Sequence, residues 1–308
     1  MTYIYANITQ LLQGFADNKI TMMTVAPSFK VSSPAQNLAL SLSRTISGFT
    51  QPQTRAAQEL VVPPLFVSDF QGNPRLHNFG QYMGTNERDT IRFTRKMPAK
   101  KGWYMGVAGL QNYNLMRGHD TAVLVDIDYH LVLLHAMMAQ AFLVCDTKEE
   151  FVSDLLMLTP RDYEGVLTQV AEKSGFVDER FSLWVFKKFI DNLKDFIKHE
   201  LSKPDSFLSN EKHFKEVKAM FTEGRVVPVW ADIYDARFIS AVKNAAAISR
   251  EKLTTIYLSN SVEWVDQSQR DVFFNNPLEI SGKLFFTTAH QSFKTSTDGF
   301  SYHTIDLS

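Results

Sequence analysis

The stretch from Gly102 to His135 constrains the fold of this chain more than any other part of the sequence. An apolar run, Trp103–Met105, leads into a glycine turn, Gly106–Gly109, and a short polar segment follows. A second apolar run, Ala122–Val125, then ends in the acid Asp126, which lies about 20 residues past the first glycine of the turn. Strand, glycine turn, helix, strand and acid, in this order, are typical of a nucleotide-binding βαβ unit.

The remainder of the chain continues the alternation of strands and helices. Apolar runs of strand length are separated by segments with helical spacing of their apolar residues, which favours a Rossmann-like α/β sandwich of three layers. The expected strands are Arg225–Ala231, Thr254–Leu258, Lys283–Thr288 and an antiparallel edge strand, Tyr302–Asp306; the expected helices between them are Ala236–Ile248 and Val262–Phe274.

A helical insertion is expected between the second and third strands of this sheet, at about residues 147–222. The buried helix Tyr129–Val144 comes first after the second strand. About 80 helical residues separate the second strand from the third, which is far more than a crossover between parallel strands needs. The helices expected within the insertion are Glu149–Leu158, a helix beginning at Thr159-Pro160, Phe181–Leu201 and Asn210–Phe221.

Residues 1–100 form an N-terminal extension that we expect to be mostly helix and loop, and residues 101–308 form the Rossmann-like domain. The extension contains no chemical motif. Its expected elements are the helices Ile8–Phe15, Asn37–Ile46 and Thr54–Leu60, a loop at Arg75–Glu87, a short strand at Thr90–Phe93 and a basic run from Arg92 to Lys101, typical of a solvated linker or of a clamp for an anion.

The charge balance excludes several classes of partner. Lys plus Arg number 32 and Asp plus Glu number 33, so the chain has no electrostatic footprint for nucleic acid or an anionic membrane. We find neither a signal peptide nor an apolar run long enough to span a membrane. A cytoplasmic protein is expected, unless the chain is exported by a route that needs no N-terminal signal. The substrate is either a small molecule or a protein.

No metal site is expected. Cys145 is the only cysteine, which rules out a cysteine-based zinc site, and it follows an apolar helix as a buried thiol would. His130 and His135 lie five residues apart, a poor spacing for two ligands on one helix face, so both are interpreted as core or boundary histidines.

Groups able to bind a ligand follow four of the expected strands. In open α/β sheets, ligands bind beyond the carboxyl ends of the strands. Glycines allow close approach of a ligand to the backbone, and a carboxylate after the second strand can accept hydrogen bonds from ribose hydroxyls. The groups are Gly106 with Gly109, Asp126 or Asp128, Asp232, and Ser259 with Asn260.

The glycine pattern argues against a dinucleotide. The dinucleotide fingerprint needs three glycines, and aligning Gly106 and Gly109 with the last two places Tyr104 at the first. A nicotinamide-dependent oxidoreductase is therefore disfavoured, and a Walker A loop is absent as well.

Two segments resemble a bacterial family that has a class I, S-adenosylmethionine-dependent methyltransferase-like fold. They are GVAGLQNYNLMRGHDTAVLVDIDYHLVLLHAM, with its glycine turn, Gln-Asn-aromatic segment and Val-Asp-Ile strand end, and IYLSNSVEWV, with its Ser-Asn strand end. Val226–Asp232 resembles the strand between them, so the likeness covers about residues 100–290.

The resemblance implies an S-adenosylmethionine-binding, methyltransferase-like protein. The residues that it implies for the cofactor are Gly106, Ala108, Gly109, Gln111, Asn112, Asp126, Asp128 and Asp232, and those facing the substrate are Ser259, Asn260 and Glu263. Catalysis would consist mainly of aligning a nucleophile with the methyl group.

This chain departs from the family's pattern at three positions. One is Ser261, which stands as an extra residue between the Ser-Asn strand end and the Val-Glu that follows it in the family. The family tends to have Gly-x-Gly in the turn and a Glu just before Gln-Asn, whereas this chain has Ala108 and Leu110 at those places. Leu110 cannot accept a hydrogen bond from a ligand amine. The alternative hypothesis is therefore a non-catalytic binding or interaction protein that kept the fold and lost the cofactor.

Overall fold

The protein is described by a computed structural model that covers residues 66–67, 90–97, 101–159, 183–235, 238, 252–275, 282–289 and 300–307. A seven-stranded sheet lies at its centre, with the strand order β1-β4-β3-β2-β5-β6-β7. The strands are β1 Phe66–Val67, β2 Trp103–Val107, β3 Thr121–Asp126, β4 Val226–Trp230, β5 Leu253–Tyr257, β6 Gly282–Ala289 and β7 Phe300–Leu307. The described α-helices are α1 Asn112–Leu115, α2 Tyr129–Val144, α3 Lys148–Met157, α4 Leu183–Leu201, α5 Glu211–Thr222 and α6 Gln267–Asn275, and 3-10 helices lie at Thr90–Arg95 and Ser261–Glu263.

The sheet is mostly parallel, and β2 lies in its middle. All five residues of β2 are buried, as is typical of a strand covered on both faces. Trp103 and Met105 belong to one buried apolar cluster, and Tyr104 belongs to another. Because successive side chains of a strand point to opposite faces, the two clusters are the packed layers on the two sides of the sheet.

The strand order reverses at β2. The chain builds outward from β2 to β3 and β4, and then returns to place β5 on the other side of β2. Such a reversal leaves a crevice at the carboxyl ends of the two strands that flank it, here β2 and β5. The α/β layout is compatible with the Rossmann-like fold expected from the sequence.

Four of the described helices lie between β3 and β4 in the chain: α2 comes first, and α3, α4 and α5 follow in the range expected for the insertion. A capping box of Thr147 and Glu150 begins α3, and the Asn210 side chain accepts from His213 N at the start of α5. The Phe142 ring on α2 stacks at 4.3 Å on Phe151 of α3. Helices α3 to α5 therefore share a core with α2, and α2 belongs to the layer that covers β2. We refer to α3–α5 as the helical insertion.

The antiparallel edge strand expected at the end of the chain is confirmed, since Lys283 pairs with Asp306 and Thr287 with Tyr302. The short strand expected at Thr90–Phe93 is wrong, because Thr90–Arg95 is a 3-10 helix. The Phe93 ring packs at 4.9 Å on Phe285, on a face of the sheet. Burial of that ring against the sheet thus overrides a brief β-like alternation.

Several expectations fall outside the described residues. They are the helices and the loop expected before residue 88, the helix beginning at Thr159-Pro160 and the helix at 236–248. No helix within the described part of the chain is long and apolar enough to cross a membrane.

Candidate functional site

Two strained turns mark the crevice between β2 and β5. Among the residues that the structure describes, two non-glycine residues have positive φ: Ala108 at 72° and Ser259 at 54°. Ala108 follows the last residue of β2, and Ser259 comes two residues after β5. Left-handed backbone at a residue with a Cβ is costly and clusters at functional sites. Both turns stand at the carboxyl edge where the strand order reverses, and we refer to Ala108–Gly109 as the switch-point turn.

The backbone of Ala108 is held from three directions. Its N–H donates to Asp126 Oδ2 over 3.0 Å, which joins the end of β2 to the end of β3. Its carbonyl accepts from Asn112 Nδ2 at 3.1 Å and lies 3.2 Å from His135 Nε2. These contacts stabilise the positive φ of Ala108, which is unfavourable for a residue with a Cβ. A glycine at this position would carry no Cβ penalty at positive φ.

The side chain of Asn112 makes its hydrogen bonds mainly to the backbone of the turn. Its amide nitrogen donates to the carbonyls of Val107 at 2.9 Å, Ala108 at 3.1 Å and Gly109 at 2.8 Å. Its Oδ1 accepts from the hydroxyl of Tyr104 at 2.5 Å. Because the side chain is fully buried and these contacts use its donors and one acceptor site, Asn112 shapes the turn.

Gly106 lies inside β2, not in the turn as the sequence suggested. A Cβ at this position would come within 2.0 Å of Asn112 Oδ1 and 2.6 Å of the Tyr104 hydroxyl. The missing side chain therefore makes room for the Tyr104–Asn112 hydrogen bond.

His135 is a buried member of the site that sequence reasoning assigned to the core. Its Nδ1 lies 2.9 Å from the Tyr113 hydroxyl, and its Nε2 lies 3.2 Å from the Ala108 carbonyl. Burial lowers the pKa of His135 to about 4, and the hydrogen bond that the ring donates to the Ala108 carbonyl opposes this shift. The ring is therefore neutral near pH 7, with Nε2–H donating to Ala108 and Nδ1 accepting from Tyr113. No sequence motif links residues 108 and 135, so the fold alone reveals this role.

The Asp126 carboxylate contacts the switch-point turn directly. Besides the bond from Ala108, its Oδ1 accepts from the N–H of Asp128 at 2.8 Å. Burial raises the pKa of the Asp126 carboxyl to about 7, the charge of Asp128 adds to the shift, and backbone N–H donors oppose it. The group is thus poised between its two protonation states at neutral pH, and a cation placed beside it favours the ionised state.

The loops after β4 and β5 are joined across the same edge. Asp232 Oδ1 accepts from Tyr234 N at 2.9 Å, and burial raises the pKa of this carboxyl. The hydroxyls of Tyr234 and Ser261 lie 2.9 Å apart, and Ser261 donates to the Leu258 carbonyl at 2.6 Å. Ser261, which interrupts the Ser-Asn–Val-Glu pattern, therefore anchors these loops.

The structure places the residues expected to face a substrate in the loop after β5. The Ser259 carbonyl accepts from Thr287 N of β6 at 2.9 Å, and the Asn260 carbonyl accepts from Glu263 N at 3.0 Å. Sequence reasoning missed Trp264, whose side chain is 72% exposed next to Glu263.

The Gln111 side chain is 1% exposed, and neither its amide nitrogen nor its amide oxygen has a hydrogen-bond partner among the groups that the structure describes. Gln111 directly precedes α1. Buried amides in native proteins are normally satisfied, so this one calls for a partner.

The carboxyl edge of the sheet is acidic. Residues 126–128 at the end of β3, residues 231–235 after β4 and residues 258–266 after β5 contain no Lys, Arg or His. Their acids are Asp126, Asp128, Asp232, Asp235, Glu263 and Asp266. Arg270 of α6 acts electrostatically on Asp266 and Tyr234 and offsets part of this negative charge. The remaining charge favours a cation at this edge. In the described part of the chain, no group of His, Cys, Asp and Glu is arranged to hold a metal ion.

Comparison with protein families assigns the chain to a family. No curated protein matches the chain in sequence. The family model of a domain of unknown function, DUF7790, matches residues 82–295, a range that holds β2 to β6, the helical insertion and both strained turns. More than half of the chain is covered, and the protein therefore belongs to the DUF7790 family.

Proposed function

We propose that this protein binds S-adenosylmethionine at the carboxyl edge between β2 and β5, as a methyltransferase-like protein. The observation that carries the proposal is the pair of strained turns, at Ala108 and Ser259, on the two strands that flank the reversal of strand order. Strain is retained where the surrounding structure enforces it, and it clusters at ligand sites.

The charge of the edge supports this ligand in particular. S-adenosylmethionine carries a sulfonium and an ammonium group, and three successive loops of the edge offer six carboxylates. Asp126 and Asp128 follow the second strand of the βαβ unit, where a carboxylate can accept from two ribose hydroxyls. Asp232, at the end of the next strand, is an acceptor for the adenine amino group.

In methyl transfer, the protein mainly orients the two reactants and forms no covalent bond with either. When bound, the cofactor would supply an electrophilic methyl group to a nucleophile of the substrate. The chain's contribution is to orient the two reactants, and the loop of Ser259, Asn260 and Glu263 borders the place where an acceptor would lie. Exposed Trp264 offers an apolar face for that acceptor.

A second candidate function is non-catalytic binding by a protein that kept the fold and lost the cofactor. One specific observation favours it: the Ala108 N–H, a group that could meet a ligand, is already taken by Asp126. Leu110, where the methyltransferase-like family that the sequence resembles tends to have a Glu, is buried and apolar. A stable protein partner recovered with the full chain, together with no affinity for S-adenosylmethionine, would favour this candidate.

Calorimetric titration of the full chain with S-adenosylmethionine tests the first proposal. Asp126→Asn should weaken binding by about tenfold or more, since it removes a charged acceptor of hydrogen bonds. Asp120→Asn is the matched control: Asp120 stands just before β3, at the opposite edge, where it accepts from Gly102 N at 2.6 Å.

The affinity of the native protein for S-adenosylmethionine should rise with pH through about 7, as Asp126 ionises. Absence of both heat and thermal shift at millimolar ligand contradicts the proposal.

A further inference from the structure

The short helix α1 connects the switch-point turn to the helical insertion. It has four residues, Asn112–Leu115, and a helix of this length has no stability of its own in water. Its position must therefore be set by the groups that hold it on either side.

On one side, two routes lead from α1 to the same atom, the carbonyl oxygen of Ala108. Asn112 reaches that oxygen directly, at 3.1 Å. The Tyr113 hydroxyl reaches it through His135, whose two ring nitrogens contact Tyr113 and Ala108 at 2.9 Å and 3.2 Å. Adjacent residues of α1 thus act together on the turn.

On the other side, the next residues of α1 are held by the insertion. Asn114 Nδ2 donates to Glu200 Oε2 at 2.6 Å, and Asn114 Oδ1 accepts from Phe207 N at 2.8 Å. The Tyr113 ring meets the Phe207 ring edge-on at 5.4 Å and the Phe221 ring edge-on at 5.1 Å. The insertion therefore grips α1 at Tyr113 and Asn114.

The Glu200 carboxylate is itself firmly placed. It is 1% exposed at the end of α4, and it accepts from Lys203 Nζ and from Ser206 Oγ, each at 2.6 Å. A buried carboxylate with three donors is a rigid anchor, because moving any donor away leaves a buried charge unsatisfied.

We propose that the helical insertion positions the switch-point turn, with Glu200 and Phe207 holding α1 in the orientation in which Asn112 and His135 both reach the Ala108 carbonyl. Asn114 and Glu200 are positioning residues that act on the turn through α1. The proposal holds whether or not S-adenosylmethionine is the ligand, because it concerns the geometry of the turn itself. It makes the insertion the element through which a change outside the sheet reaches the ligand edge.

Amide hydrogen exchange of Ala108 and Gly109 in the full chain, without ligand, tests this proposal. Asn114→Asp removes the donor to Glu200 while keeping the acceptor for Phe207, so exchange at the turn should rise about tenfold or more. The double variant Asn114→Asp/Glu200→Gln exchanges donor and acceptor between the two side chains and keeps the net charge of the pair. Exchange at the turn should then return close to the native rate.

Asn210→Ala is the matched control, since it removes the cap of α5 in the same insertion without touching α1. It should leave exchange at Ala108 unchanged. Equal effects of Asn210→Ala and Asn114→Asp would overturn the proposal, as would native exchange at the turn in Asn114→Asp or a failure of the double variant to restore it. If Asn114→Asp does not fold, Glu200→Gln alone, which places an amide nitrogen opposite the Asn114 donor, is compared with the same double variant.

Discussion

Asn112 is the residue on which the geometry of the switch-point turn depends most. Its side-chain amide hydrogen-bonds to three successive carbonyls and to the buried hydroxyl of Tyr104. A Cβ at Gly106 would clash with these two side chains, so the glycine leaves room for them. The part of Asn112 is that of a scaffold for the backbone which a ligand would meet.

Asn112→Ala should lower the free energy of unfolding by about 2–4 kcal/mol, because the Tyr104 hydroxyl and three carbonyls lose a buried partner. Urea denaturation of the full chain measures the loss. Asn260→Ala is the control: its side chain makes no capping hydrogen bond and is partly exposed, so a change within about 0.5 kcal/mol is expected. Similar losses in the two variants would refute the scaffold role of Asn112.

Asp126 and His135 give stability opposite dependences on pH. The folded pKa of Asp126, about 7, lies above its ordinary value of 3.8. The stabilisation of the folded state that follows from this difference is fully present below about pH 4 and is lost as the pH rises toward 7. The folded pKa of His135, about 4, lies below its ordinary value of 6.5, so stability rises with pH between those values. The two contributions oppose each other between pH 4 and 6.5.

Asp126→Asn should therefore make the free energy of unfolding rise more steeply with pH between about 4 and 6.5, by up to about 1 kcal/mol per pH unit. Urea denaturation at pH 4.5, 5.5 and 6.5 measures the slope, and Asp120→Asn, whose carboxylate stands at the opposite edge, is the control. A slope in Asp126→Asn that equals the native slope would show that Asp126 does not titrate as described.

At the scale of elements, the sequence predicts the strands and helices well where burial alone decides them. The expected helix Tyr129–Val144 matches α2 at both ends, and β2 and β3 lie within two residues of the expected runs. Continuous apolar runs identify strands buried on both faces, and the acid after β3 stands at the expected edge. Sequence spacing therefore located the candidate edge.

The fine geometry of the edge could not be predicted in this way. The left-handed residue of the turn is Ala108, not a glycine, and its conformation rests on Asn112, Asp126 and His135. These contacts join residues up to 27 positions apart, and no propensity records them. Residue type alone predicted a glycine role for Gly106, whereas packing against Asn112 explains it.

The turn after β2 provides an element-scale prediction. Ala108→Gly should raise the free energy of unfolding by up to about 1 kcal/mol, because it removes the strain of a Cβ at positive φ. The same substitution at Ala122, buried in β3, should instead lower it by about 1 kcal/mol. Thermal denaturation of both variants gives the comparison, and equal losses would mean that Ala108 is not strained.

At the scale of the whole molecule, the helical insertion and the layer over the sheet share one core. Phe142, Phe151, Phe214 and Phe221 lie in the same buried cluster as Tyr104 and Leu124 of the sheet. Because the buried apolar residues of the insertion and of the sheet belong to one cluster, we expect the two parts to unfold together.

Cys145 reports on this cooperativity. The thiol, which is the only one in the chain, is buried, contacts Asp154 Oδ2 at 3.4 Å, and has a pKa raised by burial. Iodoacetamide should therefore react with native protein at least about a hundredfold more slowly than with a free thiol at the same pH. Across a urea series, the alkylated fraction after a short pulse should follow tryptophan fluorescence. Alkylation at urea concentrations well below the fluorescence transition would show that the insertion opens independently.

A crystal structure of the full chain with S-adenosylhomocysteine, the demethylated product, is the most direct test of ligand binding at the carboxyl edge. The ligand should lie between β2 and β5, against the Ala108–Gly109 turn, with its ribose beside Asp126 or Asp128. Asn112 and His135 should keep their hydrogen bonds to the turn. An empty edge at saturating ligand, or a ligand bound elsewhere on the protein, would contradict binding at this edge.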